Sequence, residues 1–132
     1  MSLGKIFLAI LVLLLLSGAT IAQHGGKAEP LRIEFKRGAS SATMKQRVSS
    51  TEQMEYVFAA RQGQRVTITL TSVPARATHF ELKSADNPAY KFESEGTKWS
   101  GVAPFTGDYW VNVTSVSHKR GRASFSLRLE IK

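Results

Sequence analysis

Between Tyr109 and Thr114 the chain alternates strictly, with Tyr109, Val111 and Val113 on one side and Trp110, Asn112 and Thr114 on the other. A period of two sends successive side chains to opposite faces of an extended backbone, so this stretch reads as a strand with one face in a core. The pattern recurs along the sequence. Leu31, Ile33 and Phe35 alternate with Arg32, Glu34 and Lys36, and Met44 to Val48 alternates more weakly. Tyr56, Phe58 and Ala60 share a side, and Val66, Ile68 and Leu70 alternate with Arg65, Thr67, Thr69 and Thr71. Phe80 with Leu82, Tyr90 with Phe92, and the segment from Trp99 are shorter, while Phe125, Leu127, Leu129 and Ile131 close the chain as the longest run. No window sustains an apolar i, i+3, i+4 pattern beyond about two turns. Spacings near about 8–12 residues between turn signals are those of sandwiches and barrels. The fold expected is all-β: an antiparallel two-sheet sandwich of roughly seven to nine strands, with a small closed barrel as the alternative.

The turn chemistry adds local expectations. Arg61-Gln62-Gly63-Gln64 is a short glycine-containing loop between two alternating runs, which predicts an antiparallel hairpin. Thr106-Gly107-Asp108 supplies a tight turn before Tyr109, with Pro104 fixing the approach. His118-Lys119-Arg120-Gly121-Arg122 places three permanent charges within four residues, and is expected at a hairpin tip. Arg32, Lys36, Lys45 and Arg47 would form one basic face if the strands carrying them paired.

The first 22 residues stand apart. Lys5 precedes an unbroken apolar run from Ile6 to Leu16, and the segment ends in Thr20-Ile21-Ala22. This is the layout of a cleaved secretory signal peptide, and the run is short for a bilayer span. Residues 23–30, with Gly25, Gly26 and Pro30, read as a flexible leader, and residues 31–132 as the sandwich domain. The chain has no cysteine, so disulfides, thiol catalysis and a lipidated cysteine anchor are excluded. An exported, soluble protein of the periplasm is expected, without a membrane span.

Lys and Arg number 18 against 10 Asp and Glu, a formal charge of +8. Such an excess draws the protein toward acidic surfaces and clefts. Export makes nucleic acid a poor candidate, leaving acidic proteins, anionic lipid or cell-wall polymer. Catalysis is not expected. His24, His79 and His118 fall in the leader, on an outward strand face and in a loop, and no serine sits in a Gly-x-Ser-x-Gly elbow. Asp86 and Asp108 are accounted for by turns. Asp86, Asn87, Glu93 and Glu95 offer oxygen atoms, but their spacing fits no calcium loop. No metal or cofactor is expected. Asn112-Val113-Thr114 spells a glycosylation sequon inside a strand and is set aside.

Two features suit partner binding. Arginine forks in the turn at 118–122 match carboxylates in bidentate fashion, so a projecting tip fits an acidic cleft. Trp110, facing away from Tyr109, can anchor an interface or stack on sugar.

Ile33-x-Phe35, Tyr56-x-Phe58-x-Ala60-x-x-Gly63-Gln64, Val66-x-Ile68, Phe80-x-Leu82, Trp99-x-Gly101, Gly107-Asp108-Tyr109 and Phe125-x-Leu127-x-Leu129 together resemble the bacterial pre-peptidase C-terminal β-sandwich domains. Within that group, Arg32-Ile33-Glu34-Phe35 with Gly38 to Thr43, Ala59-Ala60-Arg61-x-Gly63-Gln64 and the late basic loop are similar to the periplasmic inhibitors of goose-type lysozyme. That resemblance implies a non-catalytic protein whose loops enter a lysozyme's substrate cleft. It makes Arg120 and Arg122 the groups that meet cleft carboxylates, with Lys119 steering and His118 beside them. Lysozyme inhibitors often carry a Ser-Gly-x-x-Tyr loop. The nearest matches here are Ser100-Gly101 and Thr106-Gly107-Asp108-Tyr109, the latter with Thr for Ser, which adds Ser100 and Tyr109 to the candidates. Two other readings stand beside this one: a glycan- or envelope-binding sandwich using Trp110, with peptidoglycan as a possible ligand, and a structural module with no soluble target.

Overall fold

The computed structural model describes residues 29–116 and 121–132. They form eight strands: β1 (Leu31–Arg32), β2 (Ser41–Ser49), β3 (Gln53–Ala60), β4 (Arg65–Val73), β5 (Thr78–Ser84), β6 (Lys98–Val102), β7 (Gly107–Ser115) and β8 (Arg122–Ile131). No helix long and apolar enough to cross a membrane occurs among the described residues. One sheet runs in the order β1-β3-β7-β5 and the other β2-β8-β4-β6. All pairs are antiparallel except β1 with β3, a two-residue parallel contact.

Odd-numbered strands thus occupy one layer and even-numbered strands the other, so every connection passes between the layers and no consecutive strands pair. This corrects the hairpin expectations. β3 and β4 flank Gly63 but lie in different sheets, and so do β7 and β8 on either side of the basic turn. The physical reason is that alternation fixes which face is buried and is silent on the neighbour. A short glycine loop can turn a strand onto the facing layer, about 10 Å away, as readily as beside its predecessor. The single basic face is corrected by the same fact. Arg32 belongs to the first sheet while Lys45 and Arg47 lie on the outer side of the second.

The inward faces supply the core. Tyr56, Phe58, Phe80, Val111 and Val113 of the first sheet meet Val48, Val66, Ile68, Leu127 and Leu129 of the second, all nearly solvent-free. Phe58 stacks on Tyr109 with ring centroids 5.4 Å apart, and Tyr56 meets Phe125 edge to face across the layers. The expected strand at Tyr90 and Phe92 is instead part of the irregular connection from β5 to β6. Tyr90 meets Phe92 and Phe105, and Phe92 meets Trp99 and Tyr109. These rings close the open side between β5 and β6, the edge strands of their layers, without ladder bonds.

The motif residues Gly63 and Gln64 tie two connections together. The Gly63 N–H donates to the Ala103 carbonyl (3.0 Å), and the Ala103 N–H to that of Gln64 (2.7 Å). The Gln64 side chain accepts from the Arg61 N–H (2.7 Å), and Thr106 Oγ1 from the Gln62 N–H (2.9 Å). Gly63 adopts φ +93°, which a side chain would resist. Gly107 is fixed twice over: its φ is +147°, and a Cβ there would come within 2.8 Å of Asp86 Oδ2.

Tyr56 is a case of buried polarity without return. Its hydroxyl has no hydrogen-bond partner, and burial pushes the phenol from 10.0 up to about 12. Tyr56→Phe is therefore expected to be neutral or stabilising by up to about 1 kcal/mol in chemical denaturation, because an unpaired buried group is removed while its ring stays. In the native protein the neutral phenol contributes stability that is full below pH 10.0 and lost as pH rises to about 12. The variant should flatten that alkaline decline without abolishing it, since burial also raises Tyr109.

Candidate partner-binding site

Three connections meet at one end of the sandwich: residues 50–52 between β2 and β3, 74–77 between β4 and β5, and the β7–β8 connection, of which Val116 and Gly121 are described. The pairings Ser49 with Arg122, Val73 with Ser124, Gln53 with Thr114 and Thr78 with Ser115 bring them together. The Val116 N–H donates to the Ala77 carbonyl at 2.9 Å, which links the last two connections. Ser72 Oγ accepts from the N–H groups of Ala77 (3.0 Å) and Thr78 (3.3 Å), which pins the middle one.

This end presents cationic and apolar side chains, with the carboxylate of Glu52 beside them. Arg122, at the start of β8, is 64% exposed, and Glu52 lies 3.8 Å from it. A solvent-facing pair at that distance is worth little, so the guanidinium stays available. Arg76 is exposed in the 74–77 connection with φ +59°, a left-handed conformation a non-glycine residue adopts at a cost. Val73 (73% exposed) and Val116 (41%) flank it as bare aliphatic groups. Along the outer face of the second sheet, a groove of about 590 Å³ continues from this end. Lys45, Arg47 and Arg122 line it above Thr71, Ser124 and Ser126, and no carboxylate does.

The seven sequence-derived candidates do not form one surface. His118, Lys119 and Arg120 lie outside the described residues. Arg122 sits at the end just described. Ser100 is exposed on β6 with its hydroxyl 3.2 Å from that of Thr67. Thr67 is six positions along β4 from Val73, roughly 20 Å at a strand's rise, so Ser100 belongs to the opposite half of the sheet. Tyr109 is corrected outright as a surface group. It is 2% exposed, and its hydroxyl donates to the Phe105 carbonyl while accepting the Phe105 N–H (3.0 Å). Its place in a turn motif reflects anchoring of the 103–106 connection to the core. Trp110 is 46% exposed on the outer face of the first sheet, away from the cationic end.

Two further placements refine the charge map. Arg32 is committed to Asp108 through a bidentate pair, Nη1 to Oδ1 at 3.2 Å and Nη2 to Oδ2 at 2.8 Å. The hydrogen-bonded guanidinium holds the Asp108 carboxyl below the usual carboxylate range, and Arg32 is raised in turn. Arg76, by contrast, is a cation at the candidate site that sequence reasoning missed. Pro74 and Ala75 mark a turn there, but nothing in Pro-Ala-Arg announces that the arginine faces solvent beside residue 116. Among the described residues no group of three His, Cys, Asp or Glu side chains comes together as a metal site would require.

No protein-family model matches the sequence, and no curated protein does. Solved structures do match. The periplasmic inhibitor of g-type lysozyme PliG from Aeromonas hydrophila superposes with a TM-score of 0.68 at 20% identity, over 78% of this chain and 96% of that one. PliG from Salmonella Typhimurium gives 0.62 at 20% identity, over 80% and 100%. The pre-peptidase C-terminal domain of a Bacillus anthracis collagenase gives 0.55 at 15% identity, over 81% and 98%. The chain therefore has the β-sandwich fold that the PliG inhibitors share with pre-peptidase C-terminal domains.

Proposed function

We propose that this protein is an exported, periplasmic inhibitor of a lysozyme of the goose type, acting without catalysis or cofactor by seating its cationic end in the enzyme's acidic substrate cleft. The observation that carries the reading is the grouping of Arg76 and Arg122 with the bare side chains of Val73 and Val116 at one end of a sandwich of the PliG type. Glycosidases of this kind work with a pair of carboxyl groups, one of which must hold a proton to release the leaving sugar. An arginine placed against that carboxyl stabilises its ionised form and occupies the space of a sugar ring. The flanking valines exclude water from the contact, which strengthens it. Lys119 and Arg120 belong to the same connection in sequence and would extend the cationic tip; the overall charge of +8 favours encounter with an acidic groove.

The test is direct. Purified mature protein is mixed with goose-type and chicken-type lysozymes and lysis of cell walls is followed by turbidity. The expected result is stoichiometric loss of goose-type activity with the chicken-type enzyme largely unaffected. Full activity of both enzymes in equimolar protein removes the reading.

A further inference from the structure

The outer face of the first sheet has a character of its own. Its side chains fall in rows across three strands. One row is Glu55, Asn112 and Glu81, and the next is Val57, Trp110 and Lys83. Neighbours within a row stand about 5 Å apart, and the rows are about 7 Å from one another along β7. Gln53 adds a second carboxamide, its Oε1 accepting from Asn112 Nδ2 at 3.0 Å. Together with Ser84, Ala85 and Pro88 these residues, the buried Val57 excepted, line a concavity of about 390 Å³, within the size range of small-ligand sites. Trp110, 46% exposed, forms one wall.

We propose that this concavity binds a neutral saccharide chain of β-linked acetamido sugars. The chemistry selects that occupant. An indole flat enough to stack on the apolar face of a pyranose stands one row from two carboxylates, which accept from sugar hydroxyls, while Asn112 Oδ1 between them is buried; Lys83 and the carboxamide N–H groups donate to ring and acetamido oxygens. A row spacing near 7 Å lets one ring lie on Trp110 while the substituents of the next reach Glu55, Asn112 and Glu81. Other occupants fit worse. A polyanion meets two carboxylates against one ammonium, and is better matched by the groove of Lys45, Arg47 and Arg122 on the opposite sheet. An apolar protein anchor would cover Glu55, and the loose pair of Glu81 with Lys83 at 4.0 Å, without new polar partners, which is costly. The site lies on the other layer from that groove, so it works independently of the proposed inhibition.

The experiment titrates the mature protein with N,N′,N″-triacetylchitotriose, following Trp fluorescence and amide shifts by NMR, and measures retention on insoluble peptidoglycan. Saturable binding with shifts confined to β3, β5 and β7 around Trp110 is expected. Trp110→Ala should weaken it at least about tenfold, and Glu55→Gln with Glu81→Gln by several-fold, as loss of a stacking platform and of charged acceptors implies. Trp110 is solvent-facing, so an unchanged melting curve verifies folding, and lysozyme inhibition measured in parallel should be unaltered. Absence of saturation up to about 10 mM trisaccharide, weaker than any affinity a useful lectin shows, overturns the proposal. So does equal retention by Trp110→Ala, or a fluorescence change traced by sedimentation to self-association of the chain.

Discussion

Replacing Phe58 by alanine is expected to lower the unfolding free energy by about 3–5 kcal/mol, the cost of a large ring removed from a packed core. Phe58 is 1% exposed in β3 and stacks at 5.4 Å on Tyr109 of the adjacent β7. Tyr109 in turn touches Phe92 and anchors Phe105, so the cavity would open beneath the aromatic lid between β5 and β6 as well as inside the sandwich. A domain of this size has only about 5–15 kcal/mol in all, and this one has no disulfide to fall back on. Thermal unfolding by circular dichroism should show a midpoint lower by more than about 12 °C, given roughly 4–8 °C per kcal/mol for such domains. A drop of only a few degrees would mean that the layers slide together to fill the gap, and that the stacked pair is not a fixed part of the core.

The second large effect concerns binding. Reversing both exposed cations at the cationic end, Arg76→Glu with Arg122→Glu, should weaken inhibition of the goose-type enzyme by more than about a hundredfold, since truncating a single buried charge contact already costs about 2–5 kcal/mol. Neither side chain is needed for the fold: Arg76 is solvent-facing, and Arg122 has only a loose surface pair with Glu52. Arg65→Glu, an exposed arginine at the other end of β4, is the control for net charge and should change the affinity by no more than about tenfold. Equal losses from the control and the double variant would indicate long-range steering alone. An unchanged affinity in the double variant would move the contact to another surface.

The sequence announced the layers and their faces, because burial imposes a period of two that survives any pairing. Tyr109 inward and Trp110 outward follow from it, as do the buried Ile68, Leu127 and Leu129. It could not announce the partners. Val66 after Gly63 looks the same whether β4 returns beside β3 or crosses to the other layer, and here it crosses at every connection. Tyr90 and Phe92 mimic a strand because two aromatic residues spaced by one also suit a lid that packs rings edge to face. At the candidate site, a run of basic residues is visible in the string of letters, which makes Arg122 a candidate from the sequence alone. Arg76 is not one, because its role depends on a backbone twist and on an adjacency between residues 77 and 116 that only the folded chain creates.

The order of the strands has a consequence for how the molecule is made. β7 lies inside the first layer and β8 inside the second, yet they are the last two strands synthesised. Until they emerge, only β1 with β3 and β4 with β6 have their mates, and even those are far apart in the chain, as Leu31 with Tyr56 shows. Assembly must wait for β7 and β8 and then proceed through distant seams, which places folding among the slower small domains, in milliseconds to seconds. A polypeptide that stays open while it grows is also one that a translocation channel can still thread.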